Sequence, residues 1–185
     1  MKKTTKNLTL SGVCLALCLV LPFLTGQIPE FGSALCPMHI PVLLCGFLCG
    51  WQYGLAVGFI APFLRFFLFQ MPPLFPTGTA MAFELAVYGS LTGALYRKLP
   101  KKIINIYIAL ISAMLAGRIM WGLVQLIISG ITKNPFTFKA FLAGGFITAL
   151  PGIVCHILLI PPIVMALKKA GLIEDEGTSK NHLAA

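Results

Sequence analysis

Acidic side chains are nearly missing from this sequence: five Asp and Glu stand against 14 Lys and Arg in 185 residues. Charge of either sign is scarce, at 10% of residues where about 25% is usual for a soluble globular domain. A soluble domain is thereby excluded. No GxxxxGK[ST] loop occurs, so ATP binding by the Walker arrangement is not expected, and no HExxH occurs to hold a catalytic zinc. Nor do a nucleophile, a base and an orienting group share one locus. Gly32-Ser33 sits in a loop at the wrong depth for His156, which argues against an intramembrane serine protease and against an enzyme generally. The inverted repeats common in self-sufficient secondary carriers are absent too.

Apolar residues fill the space that charge leaves, making up 58% of the chain, with a mean hydropathy of +0.92. At roughly 20 apolar residues per crossing, about six spans fit and little chain remains for a soluble part. The expected architecture is an all-α integral membrane protein, one compact bundle of six transmembrane helices at about 8–24, 39–49, 55–69, 79–96, 103–131 and 139–167, with a polar tail over 170–185. The basic start followed by an apolar run has the outline of a signal peptide. Its run is long enough to span and no clean cleavage site follows, so it reads as a retained first helix. Six cysteines, nearly all in apolar segments without a neighbouring His or carboxylate, read as small packing residues; no metal and no cofactor is expected.

Basic residues cluster where the positive-inside rule places the cytoplasm: Lys2, Lys3 and Lys6 before the first run, Arg97, Lys98, Lys101 and Lys102 in one connection, and Lys168, Lys169 and Lys180 after the last. Both termini are therefore expected to be cytoplasmic, and nucleic acid is not expected as a partner. Residues 26–38 form a long outer loop, with Pro29, Gly32 and Met38 marking a candidate gate.

An ionisable side chain inside hydrocarbon costs a few kcal/mol on insertion scales and is a functional candidate by default. Arg65 and Glu84 are both expected about 6 to 8 Å below the outer surface, either paired to lock a hairpin or touching a ligand. One turn from Glu84 lies Tyr88. Arg118, Trp121 and Gln125 share one helix face. Lacking a second intramembrane carboxylate, the Arg118 guanidinium is expected either to receive an anion or to be met by backbone carbonyls. A further stripe holds Thr148 and His156 around Pro151, the histidine being either a ligand contact or a satisfied structural residue. A mostly apolar cavity with these convergent polar groups suits a small molecule rather than a stream of ions. In the first span, Gly12 and Ala16 form a small-xxx-small pair that admits a close neighbour, internal or from another protein.

Size, span count, the Gly12-Val13-Cys14-Leu15-Ala16 element, the long first outer loop and the run PMHIPVLLCGFLCGWQYGLAVGFIAPFLR over Pro37–Arg65 together resemble the substrate-binding S components of the energy-coupling factor (ECF) vitamin transporters. The central run looks most like the pantothenate carriers, and Gly12 stands where the family usually shows Ala. The resemblance implies capture of a vitamin from outside a prokaryotic plasma membrane. It also implies docking, through the Gly12 and Ala16 face, on one ECF T transmembrane subunit and two ATPase subunits that hydrolyse the ATP. Pantothenate matches Arg118, Gln125 and Tyr88 in chemistry; riboflavin, a pyrimidine, cobalamin and queuosine are the alternatives within the resemblance.

Overall fold

The computed structural model describes residues 3–25, 35–132 and 136–173, and every regular element among them is helical. Helix α1, Lys3–Val20, runs on through a 3-10 turn at Leu21–Thr25. Helices α2 (His39–Cys49), α3 (Trp51–Phe69), α4 (Thr79–Lys98) and α5 (Ile103–Thr132) follow, with a π-type turn at Leu74–Gly78 before α4. The last apolar stretch is broken into α6 (Phe138–Leu142), a π-helical segment at Ala143–Ile147 and α7 (Leu150–Lys169). Pro151 explains the break: without an N–H it cannot continue the ladder and is at home in a first helical turn.

Among the described residues, four stretches are long and apolar enough to cross a bilayer: Thr4–Phe23, Trp51–Phe69, Ile103–Thr132 and Phe138–Lys169. Helix α4 has the length, but Glu84, Ser90, Thr92, Arg97 and Lys98 make it more polar. Helix α2 has only 11 residues, about 16 Å at the usual rise, half of a hydrocarbon core. Nine of those residues are buried, because α1, α3, α4 and α7 all pack against α2. The shortest of these helices is therefore the centre of the bundle.

Close packing without a hydrophobic drive between helices demands small residues, and α3 and α4 supply them. Gly54 and Gly89 meet backbone to backbone, and a Cβ on either would overlap the other's main chain. The exposed surface is studded with Leu, Ile and Phe, among them Leu8, Phe67, Ile111, Leu126 and Leu158.

One end of the bundle collects the basic residues and both described chain ends. Lys6 Nζ donates to Gly171 O at 3.3 Å, tying the start of α1 to the end of α7. At the same end Arg97 Nη2 donates to Cys49 O at 3.2 Å and Lys101 Nζ to Tyr96 O at 2.7 Å. Cations there cover the orphan carbonyls of helix C-termini, where the dipole favours them.

Replacing Gly89 with Val is expected to push α3 from α4 and to lower stability by about 1 to 3 kcal/mol. Thermal unfolding in detergent measures this, with Gly130→Ala, whose position is open, as the control expected to hold its midpoint. An unchanged midpoint for Gly89→Val would show that the two backbones are not in contact.

Candidate functional site

The short central helix determines where the site lies. Because α2 begins within the bundle, the chain entering it must be buried, and Cys36, Met38 and His39 are all buried. Cys36 takes a left-handed φ of 47°, uncommon for a residue with a side chain, and turns the backbone toward α2. His39 is the first residue of α2, so the positive end of that helix dipole faces the same interior as its imidazole.

Glu84 of α4 stands opposite. Its Oε1 lies 3.0 Å from Nη1 of Arg118 on α5 and 3.5 Å from Nε2 of His39. Tyr88, one turn on, donates its hydroxyl to the same oxygen at 2.9 Å. Tyr88 reaches this position because α5 has Gly117 where the phenol ring lies; a Cβ there would occupy the ring's space. Arg118 Nη2 also contacts Cys36 Sγ at 3.9 Å. From α7, His156 stacks on His39 with ring centroids 5.9 Å apart and planes 18° from parallel. Four helices and the entry to α2 thus converge on one carboxylate.

Hydrogen bonding within this cluster is incomplete. Both ring nitrogens of His39, both of His156 and Nε of Arg118 are buried without a hydrogen-bond partner of acceptable geometry. Buried polar atoms are nearly always satisfied, and exceptions cost about 1 to 3 kcal/mol each. Five such atoms side by side make this cluster the candidate site.

Several sequence expectations change here. Arg118 is not an unpaired guanidinium, since Glu84 neutralises it. Arg65 instead donates through Nη1 to Leu19 O at 2.6 Å and lies over Phe23 and Phe69, at 5.3 and 5.5 Å from their centroids. It ties α3 to the last turns of α1, where carbonyls lack helical partners. Trp121 packs on Phe141 and Phe136 at 6.3 and 5.8 Å, holding α6 against α5 rather than facing Glu84. Gln125 is half-buried about 10 Å beyond Arg118 along α5, and Thr148 is exposed on the outside of the bundle. Of the eight expected binding residues, Glu84, Tyr88, Arg118 and His156 come together. His39, Cys36 and Gly117 join them unforeseen; the brevity of α2 was the signal that its first residue lies at the depth of Glu84. Pro29 and Gly32 lie outside the described residues, while Met38 is buried just before α2. Gly12 and Ala16 are exposed, and a Cβ on Gly12 would meet nothing within 4 Å, so among the described residues no helix covers this face.

A family model described as ECF transporter, substrate-specific component, matches residues 6–164. The chain belongs to that family. It is accordingly a membrane-embedded, substrate-binding subunit of an ECF importer and not a catalytic enzyme, and ECF T and ATPase modules are the partners this membership implies. All six residues of the buried cluster that carry polar side chains, from Cys36 to His156, fall inside the matched stretch of this S component. No curated protein and no solved structure gives a significant match to the chain.

Removing one partner of a buried pair leaves an uncompensated charge, so Arg118→Met and Glu84→Gln are each expected to destabilise the S component by about 3 to 5 kcal/mol. In the double variant Glu84→Gln/Arg118→Met the loss is expected to be largely recovered. A double-mutant cycle on unfolding in detergent measures the coupling, and additive losses would refute the pairing.

Proposed function

We propose that this S component spans the membrane six times with both termini in the cytoplasm, captures a micronutrient from the outer side and holds it at the cluster around Glu84 and Arg118. The single observation that carries this reading is the group of buried, unpartnered donors and acceptors on His39, His156 and Arg118. The basic end of the bundle supports the orientation, because Lys6, Arg97 and Lys101 gather opposite the loop side and mark a cytoplasmic face by the positive-inside rule.

Pantothenate is the ligand we favour. Its hydroxyl and amide groups offer both donors and acceptors to imidazole nitrogens, and its carboxylate suits the Arg118 fork. Direct roles for Gln125, Trp121, Thr148 and Arg65 are not part of this reading; Arg65 positions α1 against α3. An uncharged ligand such as a pyrimidine or riboflavin is the second reading, favoured by one fact: Glu84 already cancels the charge of Arg118. Delivery follows docking on the T subunit and its ATPases through the exposed Gly12 and Ala16 face, which lets a partner helix approach closely. The outer loop ending at Met38 acts as the gate.

Native mass spectrometry of the purified chain with its co-purified small molecule tests the ligand directly, and a mass other than pantothenate overturns that choice. In Glu84→Gln/Arg118→Met, which retains a neutral interior, affinity is expected to fall at least about 100-fold in a purified-protein titration. Unchanged affinity would place the site elsewhere. Gly12→Leu and Ala16→Leu are expected to block uptake in vesicles containing the whole importer while leaving the Kd of the isolated subunit within about twofold; impaired binding with intact uptake would contradict the docking assignment.

A further inference from the structure

Arg97 lies on α4 about 20 Å along the axis from Glu84, so what gathers around it is separate from the candidate ligand site. Between α2 and α3 the chain turns at Gly50 with a φ of 96°, and a Cβ there would strike the Arg97 guanidinium. Gly50 thus makes both the turn and the seat of the arginine. Arg97 Nη2 and Asn7 Nδ2 of α1 donate to the same carbonyl, Cys49 O, at 3.2 and 3.4 Å. That bond uses one of the five N–H donors of the guanidinium, and Arg97 is exposed. Lys6 and Lys101 line the same cleft, Lys101 with its Nζ 3.7 Å from the centre of the Tyr96 ring, and Leu48, Leu172 and Ile173 form an apolar wall beside them.

Charge, size and depth decide what fits this cleft. The carbonyls that accept from Lys6, Arg97 and Lys101 are neutral, and the only carboxylate among the described residues, Glu84, is held by Arg118 at 3.0 Å. Lys98, Lys102, Lys168 and Lys169 lie at the same end and add to its positive field. The C-termini of α2, α4 and α7 end here too, but at about half a negative charge each they fall short of the cations. The cleft holds about 50 Å³, well under the roughly 300 Å³ of the smallest pockets that enclose a nutrient-sized ligand. A phosphate group suits that space, with the rest of its carrier outside. All four apolar spans have a bound at this level, at Thr4, Trp51, Ile103 and Lys169, so the cleft opens where hydrocarbon gives way to headgroups. Basic pockets between transmembrane helices at such a surface bind anionic lipid headgroups.

We infer that the cleft between the start of α1, the α2–α3 turn and the end of α4 binds the phosphate of one anionic phospholipid. Arg97 offers the planar fork that matches two phosphate oxygens, and Lys6 and Lys101 add point charges. Leu48, Leu172 and Ile173 lie against the glycerol and the first methylenes. A zwitterionic lipid brings a choline cation into the same positive field and is disfavoured for that reason. The bound lipid ties α1, α4 and the end of α7 together at the membrane surface, whichever nutrient the Glu84 cluster holds.

Native mass spectrometry of the delipidated S component, titrated with phosphatidylglycerol or with phosphatidylcholine of the same acyl chains, tests the site. One phosphatidylglycerol is expected to be held at least about tenfold more tightly than phosphatidylcholine. Arg97→Gln/Lys101→Gln is expected to weaken phosphatidylglycerol about 30-fold, while Lys139→Gln, on α6, leaves it within about twofold. Equal retention of the two lipids by the wild-type chain overturns the site, and so does unchanged affinity in the folded double variant. If that variant does not fold, the comparison of lipids on the wild-type chain decides alone. Displacement of phosphatidylglycerol by millimolar inorganic phosphate assigns the cleft to a soluble anion and overturns the lipid. Glu174, Asp175 and Glu176 follow Ile173 in the sequence. Retention of phosphatidylglycerol by Glu174→Gln/Asp175→Asn/Glu176→Gln but not by the wild-type chain makes that acidic segment the occupant and overturns the lipid as well.

Discussion

The ion pair between Glu84 and Arg118 is the interaction on which the interior depends. Separately, either charge inside a bilayer-embedded bundle would cost several kcal/mol, and together they neutralise each other at 3.0 Å. A pair of this kind contributes little net stability compared with apolar side chains of the same volume. Its worth lies in arrangement. Glu84 Oε1 holds Arg118 and Tyr88 and lies 3.5 Å from His39 Nε2, so α2, α4 and α5 must sit at defined heights for these approaches to close. Gly117 belongs to the same constraint, because the phenol of Tyr88 reaches Glu84 only over a residue with no side chain.

Two arginines lie in apolar helices, and the structure separates their work. Arg65 meets a backbone carbonyl and two aromatic faces at the junction of α1 and α3. A guanidinium suits such a place because it is planar, weakly hydrated and able to donate while stacking. Arg118 meets a carboxylate and a thiol and keeps its Nε unpartnered. The first is complete within the fold; the second is not. Incompleteness of hydrogen bonding, rather than charge itself, is what distinguishes Arg118 from Arg65 in this fold.

The helical class, the apolar stretches and the polar residues at membrane depth were legible in the sequence, since composition and insertion cost speak directly to them. The family was legible in the run from Pro37 to Arg65, and the match over residues 6–164 agrees with it. Partner choice among the charges was not. Arg65 and Arg118 each had Glu84 within reach by depth alone, and rotation about the helix axes, set by glycine contacts such as Gly54 with Gly89, decided between them. Helical periodicity placed Trp121 and Gln125 on the face of Arg118, yet one and two turns of rise carry them past the cluster, Trp121 onto Phe136 and Phe141. Thr148 was misplaced for a different reason: the π-helical segment and the break at Pro151 change the rotation between Thr148 and His156, so a stripe drawn on one continuous helix does not survive.

Helix α2 links the outside of the bundle to its interior. An 11-residue helix is about half as long as the hydrocarbon is thick, and the buried residues Cys36 and Met38 lie immediately before it. Irregular backbone at such depth is tolerated where protein surrounds it or a cavity lines it. The same few residues lead into α2 and meet the buried polar cluster: Cys36 touches Arg118, Met38 O accepts from Cys18 Sγ at 3.7 Å, and His39 approaches Glu84. Movement of that segment cannot leave the cluster untouched, because Cys36 and His39 contact the two members of the central ion pair directly.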